Sequence, residues 1–157
     1  MYKGTEVYTG KLNPGEESGT KIISELVELT VSKGEKVIII DSPPGSACVV
    51  MDSIKDADYC IIVAESSIFG AHNLEMVFRL VKLFNRPLGV VLNKSTTDFN
   101  PSKYFCEENN IPILMDIPFS KKISTLNSKG ILISEVDENY KNMFNLLLKR
   151  IIGGGLS

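Results

Sequence analysis

Val37-Ile38-Ile39-Ile40-Asp41-Ser42-Pro43-Pro44-Gly45 decides how the rest of the chain is read. Four β-branched residues in succession, with no polar alternation, are what a strand looks like when both faces of its sheet are covered, as in parallel sheets. The run predicts a strand that stops at Asp41. An acidic side chain at the C-terminal tip of such a strand stands where open α/β sheets bind ligands. In phosphoryl-transfer enzymes a carboxylate there helps to hold Mg²⁺. The two prolines stiffen the turn, and Gly45 lets the backbone approach a phosphate and donate its N–H. The competing reading is a strand-ending turn whose Asp supports its own loop. The strand before it and the Pro-Pro-Gly after it favour the ligand-binding reading.

Outward from this stretch the pattern repeats. Tyr59-Cys60-Ile61-Ile62-Val63-Ala64 stops at Glu65-Ser66-Ser67, Leu88-Gly89-Val90-Val91-Leu92 at Asn93-Lys94, and Ile111-Pro112-Ile113-Leu114-Met115 near Asp116. Helical spacing fills the gaps. Ser18 to Ser32 carries Ile22, Ile23, Leu26, Val27 and Leu29, and Ala71 to Phe84 carries Leu74, Val77, Phe78 and Val81. Pro101 to Asn109 reads as a short helix opened by Pro, Pro118 to Ser128 as another, and Glu135 to Ile152 as a final amphipathic one. Strands alternating with helices predict βαβ units and a parallel sheet with helices on both faces. Thr5-Glu6-Val7-Tyr8-Thr9 alternates and is expected as an edge strand leading to an Asn13-Pro14-Gly15 turn. One α/β domain is expected over 1–152, with 153–157 a flexible tail.

Composition narrows the function. The chain has 157 residues, 43% hydrophobic and 23% charged, with a net charge of −2. Scattered Lys and Arg on a slightly acidic chain give no basic face for a nucleic acid or an anionic membrane. No apolar run reaches the roughly 18–20 residues that span a bilayer. Met1-Tyr2-Lys3-Gly4 opens no secretory leader, so a cytoplasmic location is expected. Cys48, Cys60 and Cys106 are odd in number and lack a C-x-x-C, which argues against a disulfide framework or a self-contained metal site. Cys60 and Cys106 read as packing. His72 stands alone, without the partners that a catalytic triad requires.

Taken in order, these segments resemble the MinD superfamily of P-loop ATPases, which includes MinD, ParA, the Mrp iron–sulfur carriers and the nitrogenase iron protein. The likeness runs from Val37 through Gly45 and Ser46-Ala47-Cys48, then Ala57 to Glu65 and Phe69-Gly70-Ala71-His72-Asn73-Leu74. It continues through Gly89 to Asn93-Lys94, Ile111-Pro112-Ile113 and Ile117-Pro118-Phe119. The subgroup it most resembles carries an inserted two-cluster ferredoxin module, in which a Cys after the Asp-x-Pro-Pro-Gly motif is familiar. The resemblance implies that Asp41 lies near Mg²⁺ and the attacking water, that Gly45 senses the γ-phosphate, and that Asn93 reads the adenine edge. Pro118 and Phe119 would flank the base, while Lys94 reads as a solvated charge.

The chain departs from the family by carrying no G-x-x-x-x-G-K-[ST] phosphate loop, no lysine that reaches across a dimer, and no Cys-rich insert. It resembles the C-terminal portion of such an ATPase. The parent would bind ATP and Mg²⁺ and hydrolyse ATP between two subunits. It would couple this to an iron–sulfur cluster in the insert or in a partner. Alone, this chain is expected to turn ATP over negligibly, because the loop's N–H groups and lysine supply much of the phosphate binding. The implied partners are a nucleotide and either a second copy or the missing half. The alternatives are a non-catalytic switch module that docks on a separate phosphate-loop subunit, and a positioning ATPase like MinD or ParA.

Overall fold

The computed structural model of the chain describes residues 5–11, 20–32, 34, 37–42, 48–96 and 99–153. Helix α1 (Thr20–Ser32) comes first, then α2 (Cys48–Ile54), strand β1 (Cys60–Glu65) and α3 (Ile68–Leu83). After them come β2 (Leu88–Ser95), α4 (Pro101–Glu108), β3 (Ile113–Pro118), α5 (Lys121–Asn127), α6 (Ile133–Val136) and α7 (Glu138–Ile152). Among the described residues the strands form one sheet in the order β1-β2-β3, with both pairings parallel. The three uninterrupted apolar runs after Ala57 are therefore strands, and α3 and α4 are their crossovers, as parallel pairing requires.

Both faces of the sheet are covered, unequally. On one face Val50 and Ile54 of α2, Leu74 and Val81 of α3 and Cys106 of α4 pack with Cys60, Ile62, Ala64, Val90 and Leu92. On the other, Met143, Leu147 and Ile151 of α7 pack on Val91, Leu114 and Met115. Hence β2, in the middle, is buried on both sides. In β1 burial alternates strictly, with Ile61 and Val63 exposed.

Val37–Ile40 is not a strand, contrary to the expectation from its composition. The four residues pair with nothing in the sheet, and their exposures run from 36% for Ile38 to 82% for Ile39. β-branched residues favour a pleated, half-buried surface, but without a neighbouring strand no ladder forms. Nor do Thr5–Thr9 form an edge strand, since Thr5 makes one isolated bridge and the others none. Helix α2, directly after the Pro-Pro-Gly motif, was not anticipated. The final helix is broken at Asp137, which is extended (φ −141°, ψ 108°) and accepts the Asn139 N–H at 3.1 Å, capping α7. Pro118 ends β3 rather than opening a helix, and α5 begins at Lys121. The Asn13-Pro14-Gly15 turn and the tail beyond Gly153 lie outside the described residues.

Cys60 and Cys106 are free thiols in the core. Burial, with a smaller contribution from Glu107, pushes the Cys106 thiol up to about 11. Burial also raises Cys60, opposed by the Arg86 guanidinium. Since the thiolate is the reactive species, neither should react with an aromatic disulfide reagent at pH 7.5 in the native state. Peptide mapping should find both labelled only after guanidinium is added. Native labelling of Cys106 would show that α4 opens.

Candidate functional site

The carboxyl ends of the three strands meet along one edge of the sheet, where parallel α/β sheets bind ligands. Glu65 ends β1 and lies opposite Asn93 of β2, while Asn93 lies opposite Ile117 and Ser95 opposite Pro118 on β3. The Phe119 N–H donates to the Ser95 carbonyl at 2.9 Å. Asn93, Pro118 and Phe119, which the sequence singled out separately, are thus brought together on two adjacent strand ends. Asn93 is half-buried, and Pro118 and Phe119 are exposed.

Local chemistry fixes this edge. Lys94 adopts a left-handed backbone (φ 54°) at the irregularity in the β2–β3 pairing between Asn93 and Ser95, and its N–H donates to Asn93 Oδ1 at 3.0 Å. One lone pair of that amide oxygen and both Nδ2 hydrogens have no partner among the described residues. Lys94 Nζ pairs with Glu65 Oε1 at 2.5 Å, bridging β1 and β2, with both side chains about half exposed. Lys94 is thus a solvated charge that also pairs with Glu65. The signal was the position of both residues at strand ends, but the pairing needs the β1–β2 register.

The loops beyond the strands are held by caps. Ser67 Oγ accepts the Gly70 N–H at 2.9 Å and opens α3. Asn100 Oδ1 accepts the Lys103 N–H at 3.0 Å and opens α4. Ser102, wholly buried, donates from Oγ to the Glu65 carbonyl at 2.7 Å, tying the start of α4 to the end of β1. Ser66 Oγ is buried without a hydrogen-bond partner among the described residues. The sequence reading missed Ser66, Ser67, Asn100 and Ser102. A Ser or Asn just before each helix was the available signal for two of them.

Asp41 lies on the unpaired 37–42 stretch and is exposed. No hydrogen bond or ion pair among the described residues ties it to Asn93 or Phe119. Gly45 falls outside the described residues, as do Pro43 and Pro44. His72 is exposed on α3. Among the described residues no group of three or more His, Cys, Asp or Glu side chains could hold a metal ion, and no helix is long and apolar enough to cross a membrane.

No protein-family model matches the chain. It is 30% identical over 121 residues to the uncharacterized protein MJ0579 of Methanocaldococcus jannaschii, covering 77% of this chain and 42% of that protein. It is 27% identical over 150 residues to the uncharacterized protein MJ0578 of the same organism, covering 93% of this chain and 52% of that one. The chain thus spans about half the length of the curated relatives it matches. Among solved structures it is similar to the MinD cell division protein of Aquifex aeolicus, with a TM-score of 0.67 and 19% identity over 85% of this chain and 60% of that one. At that identity the likeness establishes the fold, and the fold is a MinD-like α/β fold of the P-loop NTPase type.

Proposed function

We propose that this chain supplies the base-reading and switch portion of a MinD-type ATPase domain whose phosphate-binding loop is carried on other polypeptide. The observation that carries this reading is the convergence of Asn93, Pro118 and Phe119 at the carboxyl edge of a parallel, MinD-like sheet. An adenine edge needs one acceptor and one donor side by side. The Asn93 amide keeps a lone pair and its Nδ2 hydrogens for them. Phe119, 56% exposed, offers a face against which a base can pack.

Mg²⁺ fits this chain only in part. One exposed carboxylate, Asp41, suits an ion whose remaining ligands are water and nucleotide phosphates, which is how Mg²⁺ is usually held. A free ion has no multidentate site among the described residues. In this reading Asp41 would hold Mg²⁺, which would supply charge neutralisation at the transferring phosphoryl group, and Gly45 would offer its N–H to the γ-phosphate. Neither Cys60 nor Cys106 could ligate an iron–sulfur cluster from its place in the core. Coupling to electron transfer would therefore use clusters in an insert or a partner, and it rests on the likeness around Ser46-Ala47-Cys48. Assembly as a homodimer belongs to the same reading.

Calorimetric titration of the chain with Mg·ATP tests it. Base contacts without a phosphate loop should give a Kd on the order of 1 mM, about −4 kcal/mol. Asn93→Ala should weaken binding by about tenfold or more, as expected for losing paired hydrogen bonds worth ~1–3 kcal/mol. Mg·GTP, whose base presents the O6 acceptor beside N7 where adenine has the N6 donor, should bind less well. Phosphate release should stay at background. Equal affinity of the wild type and Asn93→Ala for Mg·ATP would remove Asn93 from the site.

A further inference from the structure

Among the described residues, three that are not glycine have a positive φ: Asn85, Lys94 and Asn110. Asn85 and Asn110 follow the ends of α3 and α4, where asparagine is a common left-handed residue after a helix. Lys94 differs on both counts. A lysine side chain gives no local support to that conformation, and Lys94 lies within β2, one residue before the strand ends. Backbone of this kind persists only where the surroundings hold it, and it clusters at functional sites.

Two contacts hold Lys94. Its N–H donates to Asn93 Oδ1 at 3.0 Å, and its Nζ reaches Glu65 Oε1 at 2.5 Å. Glu65 is itself fixed, because its carbonyl accepts from Ser102 Oγ at 2.7 Å and from the Ser67 N–H at 2.9 Å. The tether on Lys94 therefore ends on a residue pinned by the starts of α3 and α4.

The consequence falls on Asn93. The β2–β3 register breaks between Asn93 and Ser95, and irregularities of this kind re-aim side chains. An N–H can donate only to the amide oxygen, so the bond from Lys94 sets which end of the Asn93 amide is oxygen and which is nitrogen. With β2 held on both sides, returning Lys94 to a negative φ means turning the planar Asn93–Lys94 peptide. That turn carries the N–H away from Oδ1 and frees the amide to rotate.

We infer that Glu65 and Lys94 are positioning residues: given that Asn93 reads the base as proposed above, their ion pair keeps the Asn93 amide in the one orientation that pairs with adenine, and so sets the preference of the site for adenine over guanine. Both act through Asn93, without touching the nucleotide.

Titrations of the chain with Mg·ATP and Mg·GTP, followed by NMR, test this, with Asn93→Ala as the reference for base reading itself. Glu65→Ala and Lys94→Met should each weaken Mg·ATP by about two- to fivefold, the range that an exposed ion pair commands. Mg·GTP should change little, so the preference shrinks. Lys94→Asn, which accepts a left-handed backbone without an ion pair, should restore most of it. Without nucleotide, the amide of residue 94 should exchange faster in Glu65→Ala and Lys94→Met than in the wild type, while the urea midpoint stays in place. If Asn93→Ala weakens Mg·ATP but Glu65→Ala and Lys94→Met do not, base reading by Asn93 stands and the positioning role falls. If Asn93→Ala has no effect, both fall. Equal losses of Mg·ATP and Mg·GTP in Lys94→Met and Lys94→Asn alike would make the ammonium a phosphate ligand and overturn the inference. So would unchanged exchange at residue 94 in Glu65→Ala.

Discussion

Replacing Leu92 with alanine is expected to lower the free energy of unfolding by about 2–5 kcal/mol, the range for truncating a fully buried leucine. Leu92 lies on the central strand, is 0% exposed and belongs to the larger core cluster with Ile62, Ala64, Leu74, Val81 and Cys106. Its neighbours come from β1, β2, α3 and α4, so no single element can collapse into the space left behind. With total stabilities of about 5–15 kcal/mol for domains in general, such a loss would take a large share. Urea melts followed by far-UV circular dichroism would report it as a lower midpoint at nearly unchanged slope. Val63→Ala is the control. It removes apolar atoms of the same kind from the exposed side of β1 and should change stability by no more than about 0.5 kcal/mol. Similar losses for the two variants would mean that the face of β1 carrying Val63 is covered in solution, and that the asymmetry of the sheet is not as described.

That asymmetry also explains what could and could not be read from the sequence. The runs at Tyr59–Ala64, Leu88–Leu92 and Ile111–Met115 are strands because each has a neighbour in the same chain, and they gave the parallel sheet and its helical crossovers correctly. Val37–Ile40 has the same composition and fails as a strand. Propensity describes how well a residue fits a ladder, but it does not provide the ladder. Helix α2 was hidden because Pro43-Pro44-Gly45 reads as punctuation and only seven residues follow in helical form. At the candidate site, Asn93, Pro118 and Phe119 were singled out only by the resemblance to the MinD superfamily, through the segments Gly89 to Lys94 and Ile117-Pro118-Phe119. Their meeting depends on the β2–β3 register. The Glu65–Lys94 pair, 29 residues apart in sequence, and the Ser102–Glu65 tie, 37 apart, depend on long-range register and docking that no local pattern encodes.

Gly70→Ala should destabilise the protein by about 1–3 kcal/mol, the usual cost of overpacking. Two general effects point the other way, because alanine is about 1 kcal/mol better than glycine inside a helix and restricts the unfolded chain. Geometry decides against them. A Cβ at residue 70 would lie 2.3 Å from the Glu65 carbonyl oxygen, 3.0 Å from its carbon and 3.1 Å from Ser67 Oγ. The obstacle is backbone, and it is held in place. The Glu65 carbonyl accepts from Ser102 Oγ at 2.7 Å and from the Ser67 N–H at 2.9 Å. Either α3 moves off the end of β1, or one of those bonds breaks and the Ser67 cap shifts with it. Loss of a cap alone costs about 0.5–2 kcal/mol. Ser102→Ala provides the decisive comparison, since it frees the carbonyl on one side. If the clash with a pinned carbonyl is the cause, Gly70→Ala should cost measurably less in the Ser102→Ala background, with a coupling of about 0.5 kcal/mol or more in a double-mutant cycle. Additive losses would place the strain within α3 itself. A stabilised single variant would show that helix propensity outweighs the contact, and that the first turn of α3 can slide along the strand end. In the expected case the glycine is what lets α3 start against the end of β1, beside the Glu65 carbonyl and next to the edge where the base is proposed to bind.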